Sequence, residues 1–157
     1  MPYRYFETLA QLDFIPGGPQ VLLAILPDDA AANDFIENQR QRFEKDHPPG
    51  SLISSREISA ADYALRLQEQ DASLLERFTQ RDPQAPALML RHNLHRAIKL
   101  ALDQNPPSGS LMDLITAANQ GLREATQSFD PQHGLPPSAF ADQCIQKRMD
   151  EALAGRE

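Results

Sequence analysis

Thirteen prolines, clustered between amphipathic stretches, constrain the fold of this 157-residue chain more than any other feature. Each proline lacks a backbone donor and disfavours helical geometry in the residue before it. Each cluster therefore bounds the elements on either side. The main breaks are Pro16-Gly17-Gly18-Pro19, Pro48-Pro49-Gly50, Asp82-Pro83 through Pro86, Asn105-Pro106-Pro107, and Gly134 through Pro137.

Apolar periodicity sets what can form between the breaks. Tyr3 to Phe14 carries Phe6, Leu9, Ala10 and Leu12, which fits a modest helix. Val21 to Leu26 is a continuous apolar run, so a short strand or a short helix at 20–26 remain open alternatives. Asp28 to Asp46 reads as a helix with Ala32, Phe35, Ile36 and Phe43 on one narrow stripe. Ser59, with Asp62 three residues on and Ile58 placed to pack on Tyr63, starts another helix at about Ala60. Asp71 could cap a second short helix holding Leu74, Leu75 and Phe78, or the helix could run straight through.

The clearest helices span Ala87 to Asp103 and Leu111 to Phe129. The first places Leu90, Leu94, Ala97, Ile98 and Ala101 on one face. The second places Leu111, Leu114, Ile115, Ala118, Leu122, Ala125 and Phe129 at 3-4 spacing. The short Asn105 to Gly109 connection favours an antiparallel pair, and Ser110 with Asp113 resembles a capped start. Ser138 to Ala154 makes a last helix with Phe140, Ala141, Cys144, Ile145 and Ala152 inward.

These elements predict an all-α fold, a compact antiparallel bundle of about five to seven helices in one domain over 1–157, with 155–157 frayed. Composition agrees with helices, because Trp is absent and aromatics are only 6%, leaving Leu, Ile and Ala to build the core. The single cysteine, Cys144, allows no intramolecular disulfide, which fits a reducing, cytoplasmic setting. No apolar run approaches the roughly 20 residues that cross a bilayer, so no membrane role is expected.

Candidate chemistry centres on Arg91 to Lys99. His92, His95, Arg96 and Lys99 lie opposite Leu94 or on its border. Arg96 and Lys99 could hold a phosphate or carboxylate while a histidine moves a proton. The blander reading is a solvated face paired with acidic neighbours. His92 and His95 could share a metal only with a third ligand from elsewhere, against the repulsion of flanking cations, so no metal and no cofactor are expected. Cys144 reads as a small buried hydrophobe, and Gly17-Gly18 as a turn.

Asp28, Asp29, Asp34, Glu37, Glu44 and Asp46 make the 28–46 helix acidic, and the whole chain carries a formal charge of -7. That charge repels phosphate backbones, which makes nucleic acid an unlikely partner on this reading. With no catalytic motif present, the leading expectation is a small acidic helical interaction protein, an adaptor, regulator, chaperone or inhibitor with a protein partner rather than an enzyme. A homo-oligomer is compatible with the sequence. The alternative is a small helical enzyme or ligand-binding module that uses His92, His95, Arg96 and Lys99 on an anionic ligand.

Overall fold

The computed structural model describes residues 3–12, 20–27, 30, 34, 50–104 and 110–155. The described elements are strands β1 (Tyr3–Leu12), β2 (Gln20–Pro27) and β3 (Gly50–Ile58), then helices α1 (Ala60–Thr79), α2 (Ala85–Asp103), α3 (Leu111–Ser128) and α4 (Pro137–Ala154). A 3-10 turn over Pro131–His133 precedes α4. The chain divides into two compact units, Met1–Leu67 and Gln68–Glu157, with the division falling inside α1.

The expectation of an all-α bundle is thereby corrected. The first unit holds a three-stranded antiparallel sheet in the order β2-β1-β3, and the fold is mixed. Residues 3–12, read as a helix, are the central strand. Phe6, Leu9, Ala10 and Leu12 satisfy a helical spacing, but Tyr3, Tyr5, Phe6 and Thr8 favour a pleated surface, with Tyr3 and Tyr5 two apart on one face and Phe6 and Thr8 two apart on the other. The alternation decides because strands exist on both sides to pair: Tyr5 lies opposite Ile25 of β2 and Ile58 of β3. The alternatives at 20–26 resolve to strand. Of the helix read over 28–46, only Ala30 and Asp34 are described, both helical, and the remainder lies outside the described residues.

One sheet face carries Tyr3, Tyr5, Leu23, Ile25 and Ile58 against Tyr63 and Leu67 of α1, with Leu23, Ile25 and Tyr63 buried. The Tyr5 and Tyr63 ring centroids are 4.8 Å apart. Glu7 sits opposite Arg56 and bonds its Nη2 at 2.6 Å, while Arg66 of α1 reaches the same carboxylate at 3.5 Å. The other face carries Arg4, bonded in a fork to Glu57 at 3.0 and 2.8 Å and stacked 5.3 Å from the Phe6 ring centre.

The Ser59 cap forms as read: its Oγ accepts from the Asp62 N–H at 3.0 Å, and its carbonyl from Tyr63 at 2.9 Å. Ile58 and Tyr63 meet in the same apolar cluster, as a hydrophobic staple requires. Ser59→Ala is therefore expected to cost about 1 kcal/mol, read as a lower denaturation midpoint, with Ser59→Asp close to wild type. Helix α1 then continues unbroken past Asp71.

In the second unit α3 packs against both α2 and α4, and α2 also touches α4. The stripe read on α3 is buried as expected from Leu114 through Ala125. Met89, Ile98, Ile145 and Met149 fill the same core, and Phe129 makes edge contacts with Phe78 and Phe140 at 4.7 and 5.5 Å. Gly121 marks the closest helix approach, for a Cβ there would stand 2.6 Å from the Cys144 carbonyl oxygen. No described helix is long and apolar enough to cross a membrane.

Candidate functional site

Helix α4 starts with a capping problem. Pro136 and Pro137 occupy its first positions, no side chain of its own caps it, and the Ser138 N–H needs an acceptor. Asp71 of α1 supplies one. One carboxylate oxygen accepts from the Ser138 N–H at 3.0 Å, and the other accepts from the Ser138 hydroxyl. Asp71 thus caps a helix, though one 67 residues away rather than its own. An anionic side chain at a helix N-terminus also meets the positive end of the helix dipole.

Arg96 of α2 extends this contact into a network. Its guanidinium donates to Asn93 Oδ1 at 3.0 Å, to the Ser138 carbonyl at 3.4 Å, and to the Asp142 carboxylate of α4. Asn93, 2% exposed, donates in turn to the Met89 carbonyl at 2.8 Å. Burial pushes the Asp71 and Asp142 carboxyls above their ordinary range, against the opposing pull of Ser138 on the first and Arg96 on the second. The network ties α1, α2 and α4 together, and it leaves the second Asp142 oxygen buried without a hydrogen-bond partner among the described residues.

Beside it lies a pocket of about 290 Å³. Ala72 and Leu75 of α1 line it together with Pro131, Leu135 and Pro136, and Asp71 and Gln68 are its polar lining residues. Three prolines among its lining residues, Pro131, Pro136 and Pro137, restrict the backbone there.

The four residues singled out on α2 do not converge on one opening. Arg96 is committed to Asp142, and Lys99 Nζ lies 2.7 Å from Asp103. His92, expected away from the core, is 8% exposed, because α2 is buried on every side from Leu88 to Leu94. Its Nδ1 has no hydrogen-bond partner among the described residues. Burial, with the Arg77 charge adding to it, lowers its pKa to about 4. His95 is half-buried. Among the described residues no three side chains are grouped to hold a metal ion. The Cys144 thiol is pushed up by burial and by the Glu124 carboxylate, which keeps it protonated.

The sequence reading missed Asp71, Asn93, Ser138 and Asp142 as a set. One signal was present: two prolines ahead of Ser138 leave α4 without a local cap, so its first N–H groups need water or a distant acceptor.

The outer face of α3 is different in kind. Met112, Thr116, Gln120, Arg123 and Gln127 recur at 3-4 spacing and are all exposed. Met112, 41% exposed, is the one large exposed hydrophobic side chain of this unit among the described residues.

No protein-family model matches the chain. It is 34% identical over 79 residues to the RNA polymerase sigma-C factor of Myxococcus xanthus, covering 50% of this chain and 27% of that protein. It is 28% identical over 126 residues to the RNA polymerase sigma factor RpoS of Coxiella burnetii, covering 80% of this chain and 35% of that protein. The chain thus spans about a third or less of the length of these curated relatives. A stretch of 126 residues in a chain of 157 cannot miss α1 or α2, nor most of α3. This similarity to RNA polymerase sigma factors overturns the expectation that nucleic acid is an unlikely partner. A net charge describes the whole chain, whereas binding depends on the local surface.

Proposed function

We propose that this chain is a regulator that works by binding RNA polymerase, and that its helical unit, Gln68–Glu157, makes the contact. The observation that carries this reading is the similarity to two RNA polymerase sigma factors, the longer match necessarily running through α1, α2 and most of α3. The outer face of α3 suits such a contact. It offers an exposed Met112 at one end and Arg123, without an ion-pair partner among the described residues, three turns on. An apolar anchor flanked by polar groups is the usual make-up of an interface centre.

Nucleic-acid contact belongs to the same reading, made locally and in the complex. Arg81, Arg123 and Lys147 are exposed, and a chain of -7 would gain such contacts only where cations are presented against the overall field. An anion-binding role for His92, His95, Arg96 and Lys99 draws no support from this arrangement, since Asp142 and Asp103 already neutralise the two cations.

The test is co-elution of the purified chain with core RNA polymerase from its source, first without and then with DNA. Wild type is expected to bind, and Met112→Glu to weaken binding about tenfold or more while leaving the helical spectrum unchanged. Absence of co-elution at micromolar concentrations would sink the proposal. Equal binding by wild type and Met112→Glu would remove the α3 face from it.

A further inference from the structure

The two edges of the sheet are built differently. On β3 the register to β1 slips between Leu9 and Ala10, whose partners are Ser54 and Leu52, so an irregularity interrupts that edge. Arg56 and Glu57, both charged and exposed, occupy its far end. Bulges and charges are the usual devices that keep a sheet edge from pairing with another chain. Strand β2 has neither. It ends in Pro27, but no charged residue interrupts it, and its register to β1 runs from Pro27 to Gln20 without a slip.

Every second residue of an edge strand turns its N–H and C=O away from the neighbouring strand. Among the described residues, Leu22 to Leu26 make hydrogen bonds only to β1, so the outward groups of this stretch form an open template. An apolar, regular and uncharged edge is the kind that accepts another strand.

We propose that β2 pairs antiparallel with β2 of a second copy of this chain, joining two three-stranded sheets into one of six strands. Self-complementarity selects the occupant. A two-fold axis at Ala24 sets Leu23 opposite Ile25 and Leu22 opposite Leu26, matching aliphatic side chains on both faces. Two copies that each carry -7 repel at most surfaces, and this uncharged strand lets them meet with no like charges opposed. The register also keeps Leu23 and Ile25 on the face that packs against Tyr63 within each copy.

The experiment uses the full chain in sedimentation equilibrium, with Ala24→Lys and Ala24→Glu examined singly and as an equimolar mixture. Wild type is expected to be a dimer. Each variant alone places like charges opposite one another and weakens dimerisation about tenfold or more, while the mixture restores it. Hydrogen exchange on wild type supplies a readout that needs no variant: amide protection within Leu22–Leu26 should rise with protein concentration. A wild-type monomer with concentration-independent exchange overturns the proposal. So does dimerisation of the single variants at wild-type strength, or protection of β2 that appears only when a different protein is added.

Discussion

Gly121→Ala is expected to destabilise the helical unit by about 2 kcal/mol, lowering its melting temperature by about 10 °C. Two effects of opposite sign compete here. In an isolated helix the substitution would gain about 1 kcal/mol, because glycine is a poor helix former. Within α3, however, the new Cβ would lie 2.6 Å from the Cys144 carbonyl oxygen and 2.8 Å from the Ile145 Cα. Both atoms belong to the backbone of α4, so relief requires one helix to move away from the other rather than a side chain to turn. Separating them loosens the layer that holds Leu122 and Ile145, both fully buried. Gly121→Val should therefore cost more than Gly121→Ala. Thermal denaturation of the two variants checks the order, and a gain in stability for Gly121→Ala would show that the helices do not approach this closely.

The second large effect is acid sensitivity at His92. Its folded pKa is about 4, below the ordinary 6.5, because charging the ring inside the protein meets desolvation and the nearby Arg77 charge. Between these values the unfolded chain binds a proton that the folded chain refuses. The contribution to stability is thus fully present above pH 6.5 and is lost as pH falls toward 4, by about 3 kcal/mol in all. Asp71 and Asp142 act in the opposite sense. Their raised carboxyl pKa values favour the folded state at low pH, and that contribution disappears as pH rises through the folded values. A comparison of His92→Leu with wild type isolates the histidine. Urea denaturation at steps from pH 7 to pH 4 should show wild type losing stability more steeply than the variant. Parallel profiles would mean that the His92 ring charges freely in the folded state.

These two effects show how unevenly the structure could be read in advance. Three of the four helices were legible closely, and the fourth, α1, was legible in its start at Ser59 but ambiguous at Asp71. Their stripes depend on residues three or four apart, and the stripe on α3 is buried nearly as it was read, whereas of the two local caps expected Ser59 forms its bond and the Ser110 side chain does not cap α3. β1 was misread because a ten-residue segment with mixed apolar positions fits both periods, and only partner strands choose between them. β3 was overlooked because Gly50 to Ile58 carries little local pattern and pairs with residues 38 to 53 positions earlier.

The polar stripe on α2 illustrates a different limit. Spacing places His92, His95, Arg96 and Lys99 off the main apolar stripe, but periodicity cannot tell a face in water from one covered by a second layer. The structure covers His92 and gives Arg96 to Asp142. It likewise turns Asp71 to Ser138, where local reasoning could offer it only a cap for its own helix.

The sequence by itself determined the helices, the Ser59 cap, the apolar stripe of α3 and the proline-marked ends, because each rests on interactions within about one turn. Tertiary structure alone decided the sheet, the burial of His92, the Asp71–Ser138 and Arg96–Asp142 contacts and the tight approach at Gly121. The Arg4–Glu57 and Asp71–Ser138 partners stand 53 and 67 residues apart, and no local preference encodes which distant group will arrive to complete a ladder, a cap or a charge. That choice is made when the apolar stripes pack and every buried donor must find an acceptor.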